Sequence, residues 1–242
     1  MLEKNNYTVL IPCAGDGKRL KVKKPKILFK VNNKTLLNIL IHKFINITDK
    51  YCFVVSPKNK EMIKNELIKY KINYKLVIQK KPTGMADAIK ICEKHINTTH
   101  TIIIWGDQIG IRKKTVVNMI DLSKKYKSVI AVKKVFDPYI HFVRDKKDKI
   151  IAVLQKREGD LMPKIGENDA GFFIFKTEDL YKLFNELNLK NLKGKITKET
   201  NFIPFIVYFI NKFKSNYLYN NITKIETKGI NYKSDAKYFT KK

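Results

Sequence analysis

Acidic residues are scarce in this chain, and between Gly17 and Thr48 there are none. Over 242 residues, 22 Asp and Glu face 50 Lys and Arg, a formal net charge of +28. So positive a surface attracts anions, with nucleic acid and anionic membrane faces among them. The lysines are scattered among Asn and Ile, however, and are not interleaved with stacking aromatics as in single-strand binders. Nucleic acid is therefore not expected as the main partner. Long apolar runs are also missing. The longest, 202–210, contains Pro204 and is too short to span a bilayer. The first six residues are polar, so no signal peptide is expected. Cysteine is limited to Cys13, Cys52 and Cys92, an odd set without metal-ligand spacing. Each lies in an apolar or helical pattern, and the expectation is buried free thiols in a reducing cytoplasm. His42, His95, His100 and His141 show no metal spacing either and read as structural or exposed. No Ser/His/Asp or Cys/His set stands out.

What is present fits a folded enzyme-sized domain. The hydrophobic fraction is 44%, with 12 Tyr and 14 Phe, which argues against disorder. The length suits one α/β domain or two small ones. Apolar β-branched runs at 7–13, 51–55, 74–78 and 101–105 alternate with helical patterns at 35–47, 57–70, 83–95 and 112–126. That alternation predicts a mostly parallel sheet with helices on both faces. The run at 101–105 reads as a central parallel strand. From Ser128 the texture changes to strands at 129–135, 141–145, 150–154 and 172–175. Helices at 177–187 and about 199–212, a strand near 222–227 and a short terminal helix follow. The expectation is one domain over 1–242, with a nucleotide-binding half to about 127 and an acceptor-binding half from about 128. A homo-oligomer is compatible with this organisation.

The most informative stretch is IPCAGDGKRLKVKKPKIL, residues 11–28. An apolar strand opens into a turn with Gly15 and Gly17, followed by Lys18, Arg19, Lys21, Lys23, Lys24 and Lys26. A glycine turn can aim backbone N–H groups at an anion, and long cations beside it can neutralise phosphate oxygens. A triphosphate is the simplest ligand. The loop is not a P-loop, because Pro12 and Arg19 stand where that pattern needs Gly and Ser or Thr. It is not a dinucleotide loop, because Leu20 replaces the third Gly.

Ala14, Gly15, Gly17, Arg19, Leu20, Pro25 and Lys26 follow A-G-x-G-x-R-[ML] and then P-K. This resembles the signature loop of the nucleotidyltransferases that make nucleotide sugars, most of all the N-acetylglucosamine-1-phosphate uridylyltransferase domain. The resemblance continues in order through QKKPTGMADA (79–88), Trp105-Gly106-Asp107, Asp169-Ala170-Gly171 and Gly229-Ile230-Asn231. It implies a Rossmann-like, glycosyltransferase-A-like fold with a small β-rich elaboration over the acceptor. It also implies transfer of a nucleoside monophosphate from UTP or CTP to a sugar 1-phosphate, with Mg²⁺ as cofactor and pyrophosphate as product. The nucleophile is already an anion, so positioning and charge neutralisation carry such a reaction.

The resemblance also assigns roles. Arg19 would grip the β- and γ-phosphates, and Lys26 would sit between the α-phosphate and the incoming phosphate. The Ala14, Gly15 and Gly17 loop with Lys18 would cradle the nucleotide. Lys21, Lys23 and Lys24 read as solvated or field-shaping. Gln79 with the Gly84 and Met85 backbone would read the base. Asp107 and Asn231 would hold the metal, with Asp235 competing for the second place. Lys156 or Arg157 would hold the acceptor phosphate, and Asp169 and Gly171 would face its skeleton. Three departures mark the acceptor and base sites. Met85 replaces the usual Thr. Val153-Leu154-Gln155-Lys156 lacks the Glu that contacts the sugar. Asp169-Ala170 replaces Asn-Thr, which would favour an amine-bearing or hydroxyl-rich acceptor. A cytidylyltransferase for a non-sugar phosphomonoester (an amino-alcohol, amino-acid or polyol phosphate) is the alternative. A basic, non-catalytic binding protein on the same fold is the second. No acetyltransferase repeat follows within this length.

Overall fold

The computed structural model describes residues 6–15 and 17–240, apart from the Lys18 side chain. In chain order the strands are β1 (Tyr7–Pro12), β2 (Lys30–Val31), β3 (Lys34–Thr35), β4 (Lys50–Val55), β5 (Asn73–Ile78), β6 (His100–Ile104), β7 (Ser128–Phe136), β8 (Ile140–Arg144), β9 (Ile150–Gln155), β10 (Ile165–Lys176) and β11 (Asn216–Tyr219). The helices are α1 (Leu36–Phe44), α2 (Lys60–Leu67), α3 (Met85–Lys90), α4 (Lys113–Ser123), α5 (Thr177–Glu186) and α6 (Phe202–Lys212).

Seven strands form one sheet in the order β11-β7-β10-β6-β1-β4-β5. β1 runs parallel to β4 and β6, and β4 parallel to β5. The central strands read as unbroken apolar runs because both of their faces are covered. Side chains alternate faces along each strand. Val9, Ile11, Phe53, Ile102 and Ile104 join one core with α1, α2 and α4. Leu10, Val54, Ile103, Phe173 and Phe175 join the opposite core with α3, α5 and α6. Phe202, Phe205 and Phe209 form the buried stripe of α6, and the Phe184 and Phe205 rings stack 4.0 Å apart. Pro204 sits in the first turn of α6, where amide hydrogens have no helical partner to lose. Cys13, Cys52 and Cys92 are buried free thiols. No helix among the described residues is long and apolar enough to cross a membrane.

The structure corrects several sequence expectations. The strand expected near 222–227 is absent; Lys224–Thr227 is a 3-10 turn closed by a Thr223/Glu226 capping box. The strand of this region lies earlier, as β11, parallel to β7. β6 is central but parallel on one side only, since β10 runs antiparallel to it. β10 is far longer than 172–175, because its polar first half pairs with β7 before a bulge between Asp169 and Phe173. The helix expected over 83–95 shortens to α3 and a 3-10 turn, Glu93–His95. The β2–β3 hairpin was not anticipated. Its two-residue turn places Asn32 and Asn33 at φ 49° and 62°, the left-handed pair that favours Asn and Gly.

Candidate active site

In an open parallel sheet, ligands gather outside the carboxyl ends of the strands. β1 and β6 end side by side here. Beyond them lie two adjoining cavities, of about 380 Å³ and about 620 Å³. Both are lined by Arg19, Met85, Trp105, Asp107, Arg157 and Asn231.

The smaller chamber is built from the loop after β1. Gly17 has φ 60°, and a Cβ there would meet the Cβ of Lys26 at 2.8 Å. Only glycine lets the loop fold so closely over the lysine. Leu20 and Ile27 are buried and pin both ends of the basic stretch. Arg19, just before Leu20, is exposed, and it lines both chambers. Gly15, Gly17 and Lys26 line the smaller one. Ala14 is half-buried and lines neither, and the Lys18 side chain falls outside the described residues.

Lys26 is the pivot. Its ammonium donates to Asp107 Oδ2 at 2.5 Å and to Asn231 Oδ1 at 3.1 Å. Asp107 follows β6, whereas Asn231 arrives from the end of the chain. The Ile230 amide donates to the Asp107 carbonyl at 3.1 Å. A Cβ on Gly229 would crowd the Asp107 carboxyl at 3.0 Å. Asp235, the competing residue, spends one oxygen on the Asn231 and Tyr232 amides at 2.7 Å each. Its geometry is that of a cap. Two oxygens that already share one cation suit a divalent ion, since Mg²⁺ takes few protein oxygens and completes its shell with phosphate and water. No group of three or more His, Cys, Asp or Glu among the described residues could hold a metal.

Two of the residues expected to read the base, Gln79 and Gly84, lie apart from this cluster. The Gln79 side chain is buried and donates to the Gly84 carbonyl at 3.0 Å. It braces the turn before α3 and lines neither chamber. Gly84 has φ 124°, and a Cβ there would strike the Thr200 backbone at 2.4 Å. The Thr83–Ala86 backbone is laced to Thr200 by two hydrogen bonds of 2.8 and 2.9 Å. Met85 faces both chambers.

The larger chamber rests on β10 and on the β8–β9 hairpin. The β10 bulge turns Asp169 toward it. Gly171, at φ 63°, would put a Cβ 2.3 Å from the Trp105 ring. Its amide donates to Asp169 Oδ1 at 2.7 Å. Burial raises the Asp169 carboxyl, the Gly171 amide opposes that, and the Asp107 charge adds to it; the result is about 6. Trp105, Tyr139, Phe202, Tyr232 and Tyr238 supply aromatic wall.

Lys156 sits at the rim, with its ammonium 2.7 and 2.9 Å from the two Asp137 carboxylate oxygens. Arg157 turns inward and lines both chambers. The sequence singled out neither Gln108, Asn168 nor Asn201, all of which line the larger chamber. Their polar type alone carries no local signal.

Comparisons with known proteins bear on the family and the fold. A family described as nucleotidyl transferase matches residues 9–206. The Clostridioides difficile bifunctional protein GlmU is 26% identical over 196 residues, covering 78% of this chain and 42% of that protein. The chain thus spans about two fifths of the length of the curated relatives it matches. A protein described as a glucose-1-phosphate thymidylyltransferase of Bacillus anthracis superposes with a TM-score of 0.71 at 18% identity. That match covers 90% of this chain and 87% of that one. The inositol-1-phosphate CTP transferase of T. maritima superposes with a TM-score of 0.67 at 14% identity, covering 91% and 87%. At these identities the two structures speak for the fold.

Proposed function

The chain belongs to the nucleotidyl transferase family, and from that premise we propose that it transfers a nucleoside monophosphate from UTP or CTP to a sugar 1-phosphate. The observation that carries this reading is the meeting of Arg19, Lys26, Asp107 and Asn231 around one chamber, from three separated segments of chain. Among the described residues, three cations and a single carboxylate line that chamber, which suits a polyphosphate.

In this reading the acceptor phosphate attacks the α-phosphorus in line, and pyrophosphate leaves. No general base is required, because the attacking oxygen is already anionic. Arg19 holds the leaving phosphates with its planar fork. Lys26 is released from Asp107 and Asn231 when the nucleotide arrives, and its ammonium then neutralises the charge that grows at the α-phosphate. Asp107 and Asn231 would hold Mg²⁺, which supplies further neutralisation of the phosphates. Gly15 and Gly17, which line the smaller chamber, would approach the phosphates with bare backbone.

A second reading has a specific observation behind it. Leu154 stands where the sugar-binding pattern has its glutamate, and Asp169 lines the larger chamber, where that pattern has an amide. A carboxylate there favours a phosphomonoester rich in hydroxyls or carrying an amine, with CTP as donor. Radiolabelled UTP and CTP against a panel of sugar and non-sugar phosphates separate the two. The expected outcome is metal-dependent pyrophosphate release that is lost in Asp107→Ala and Arg19→Ala while both variants keep the wild-type circular dichroism. Full turnover by either variant would refute the site.

A further inference from the structure

We propose that Arg157, rather than Lys156, holds the phosphate of the acceptor, at the boundary between the two chambers. The proposal deepens the reading above and rests on it for the identity of the phosphate.

The geometry separates the two neighbours. Lys156 opens the 3-10 turn after β9, and Asp137 takes its ammonium on the solvent side. Arg157 follows it and points the other way. Its Nε donates to Glu158 Oε1 at 3.2 Å. Its Nη2 donates to Glu199 Oε2 at 2.5 Å and to Asn201 Oδ1 at 2.9 Å. One edge of the guanidinium is therefore tied down. Nη1, with two N–H donors, has no partner among the described residues. Since Arg157 lines both chambers, that free edge lies where an incoming phosphate must stand to reach the α-phosphorus.

The anchor is itself rigid. Glu158 is buried and accepts from the Ile196 and Thr197 amides at 2.9 and 3.1 Å, from the Thr197 hydroxyl at 2.6 Å and from Asn201 at 3.1 Å. Burial works against its charge, but these hydrogen bonds hold the carboxyl down at about 2. It stays ionised at any physiological pH. A Cβ on Gly194 would lie 2.4 Å from that carboxyl, so the 194–201 segment wraps it closely. An arginine held in this way has little side-chain freedom left to lose on binding. Lysine in its place could supply charge but not the fork that spans Glu199 and a phosphate together.

The test compares Arg157→Gln, Arg157→Lys and Lys156→Ala, with N-acetylglucosamine 1-phosphate as acceptor and UTP as donor. Arg157→Gln should raise the acceptor KM about 10- to 100-fold, the loss of a charge-assisted hydrogen bond, and shift the UTP KM far less. Arg157→Lys should recover part of the loss, and Lys156→Ala should raise the acceptor KM less than Arg157→Gln does. A larger effect from Lys156→Ala overturns the assignment, as does an equal rise in both KM values. Should Arg157→Gln lower the melting temperature, Glu199→Gln provides the second variant, since it frees Arg157 and should raise the acceptor KM in the same direction. Should the wild type show no turnover with this acceptor, the functional reading fails on that substrate while Arg157 remains testable. Inorganic phosphate titrated calorimetrically into wild type and Arg157→Lys then serves as the probe. Weaker phosphate binding in the variant supports the proposal, and unchanged binding sinks it.

Discussion

The two chambers share a wall but are built on different principles. The smaller is assembled from loops at the ends of parallel strands, with cations around Asp107. The larger is assembled from an antiparallel strand with a bulge, a hairpin and a return loop, with aromatic and carboxylate walls. Parallel topology sends every strand end to the same edge of the sheet. Local motifs after β1 and β6 therefore become spatial neighbours with no further information. The larger chamber has no such guarantee. Arg157 faces inward only because Glu158, Glu199 and Asn201 hold it, and those partners lie up to 44 positions away. The comparison predicts that the smaller chamber governs rate, whereas the larger couples acceptor affinity to stability.

The largest expected effect is on the rate side. Asp107→Ala should lower kcat about 10³-fold, the scale of removing a group that organises charge at a transition state. Its melting temperature should stay within a few degrees of wild type, because the side chain is partly exposed and its partner Lys26 can turn to water. Steady-state kinetics and a thermal melt on the same preparation check both halves. A variant that loses stability in step with activity would erase the distinction between the chambers.

This division follows what was readable in the sequence. Apart from the short β2–β3 hairpin, the order of strands and helices through 7–123 was legible, since alternating apolar runs and helical stripes report burial on two faces. The Gly15–Lys26 loop was legible because its residue types have few other uses together. The course of β10 was not, because Ile165 to Asp169 is half polar and gains its identity only by pairing with β7. The strand misplaced at 222–227 had a local warning: Thr223 and Glu226 stand three apart, the spacing of a capping box. Glu226 is fully buried, accepting from Arg112 and Thr115 besides the cap. Gln79 read as a base-contacting amide, but its turn-bracing contact to Gly84 could be known only once α3 was seen to shorten.

The next effect belongs to the larger chamber. Gly171→Ala forces a side chain into φ 63° against the Trp105 ring. Strain of that kind together with overpacking costs about 3 kcal/mol. The alanine should melt lower and raise the acceptor KM, while its affinity for nucleotide, measured by calorimetry, changes less. Equal losses for nucleotide and acceptor would mean that the two chambers move as one.

A smaller effect on the same wall depends on pH. The folded Asp169 carboxyl stands at about 6, above its ordinary 3.8. The folded state therefore prefers the protonated form. Its contribution is fully present below pH 3.8 and is lost as pH rises through about 6. Asp169→Asn removes the ionisation, so it should match wild type in stability near pH 4 and exceed it by about 2 kcal/mol above pH 7. Urea denaturation at pH 4, 5, 6 and 7 follows the divergence. Parallel curves would show that Asp169 is not held at a cost. The same asparagine should weaken acceptor binding if the carboxylate serves the acceptor, so stability and function would move in opposite directions.

The smallest effect provides a control outside both chambers. The β2–β3 hairpin carries the chain from the Lys26 turn to α1, and Asn33 lines neither chamber. At φ 62° asparagine tolerates the left-handed region but still carries a Cβ penalty that glycine avoids. Glycine gives back part of that gain through its more flexible unfolded chain. Asn33→Gly, which creates the Asn-Gly pair preferred in such turns, should therefore stabilise the protein by about 0.5 kcal/mol. Turnover and both KM values should match wild type. A change in nucleotide KM without a change in melting temperature would show that the hairpin governs the Lys26 turn, and the rate-governing region would then extend beyond the strand ends to the start of α1.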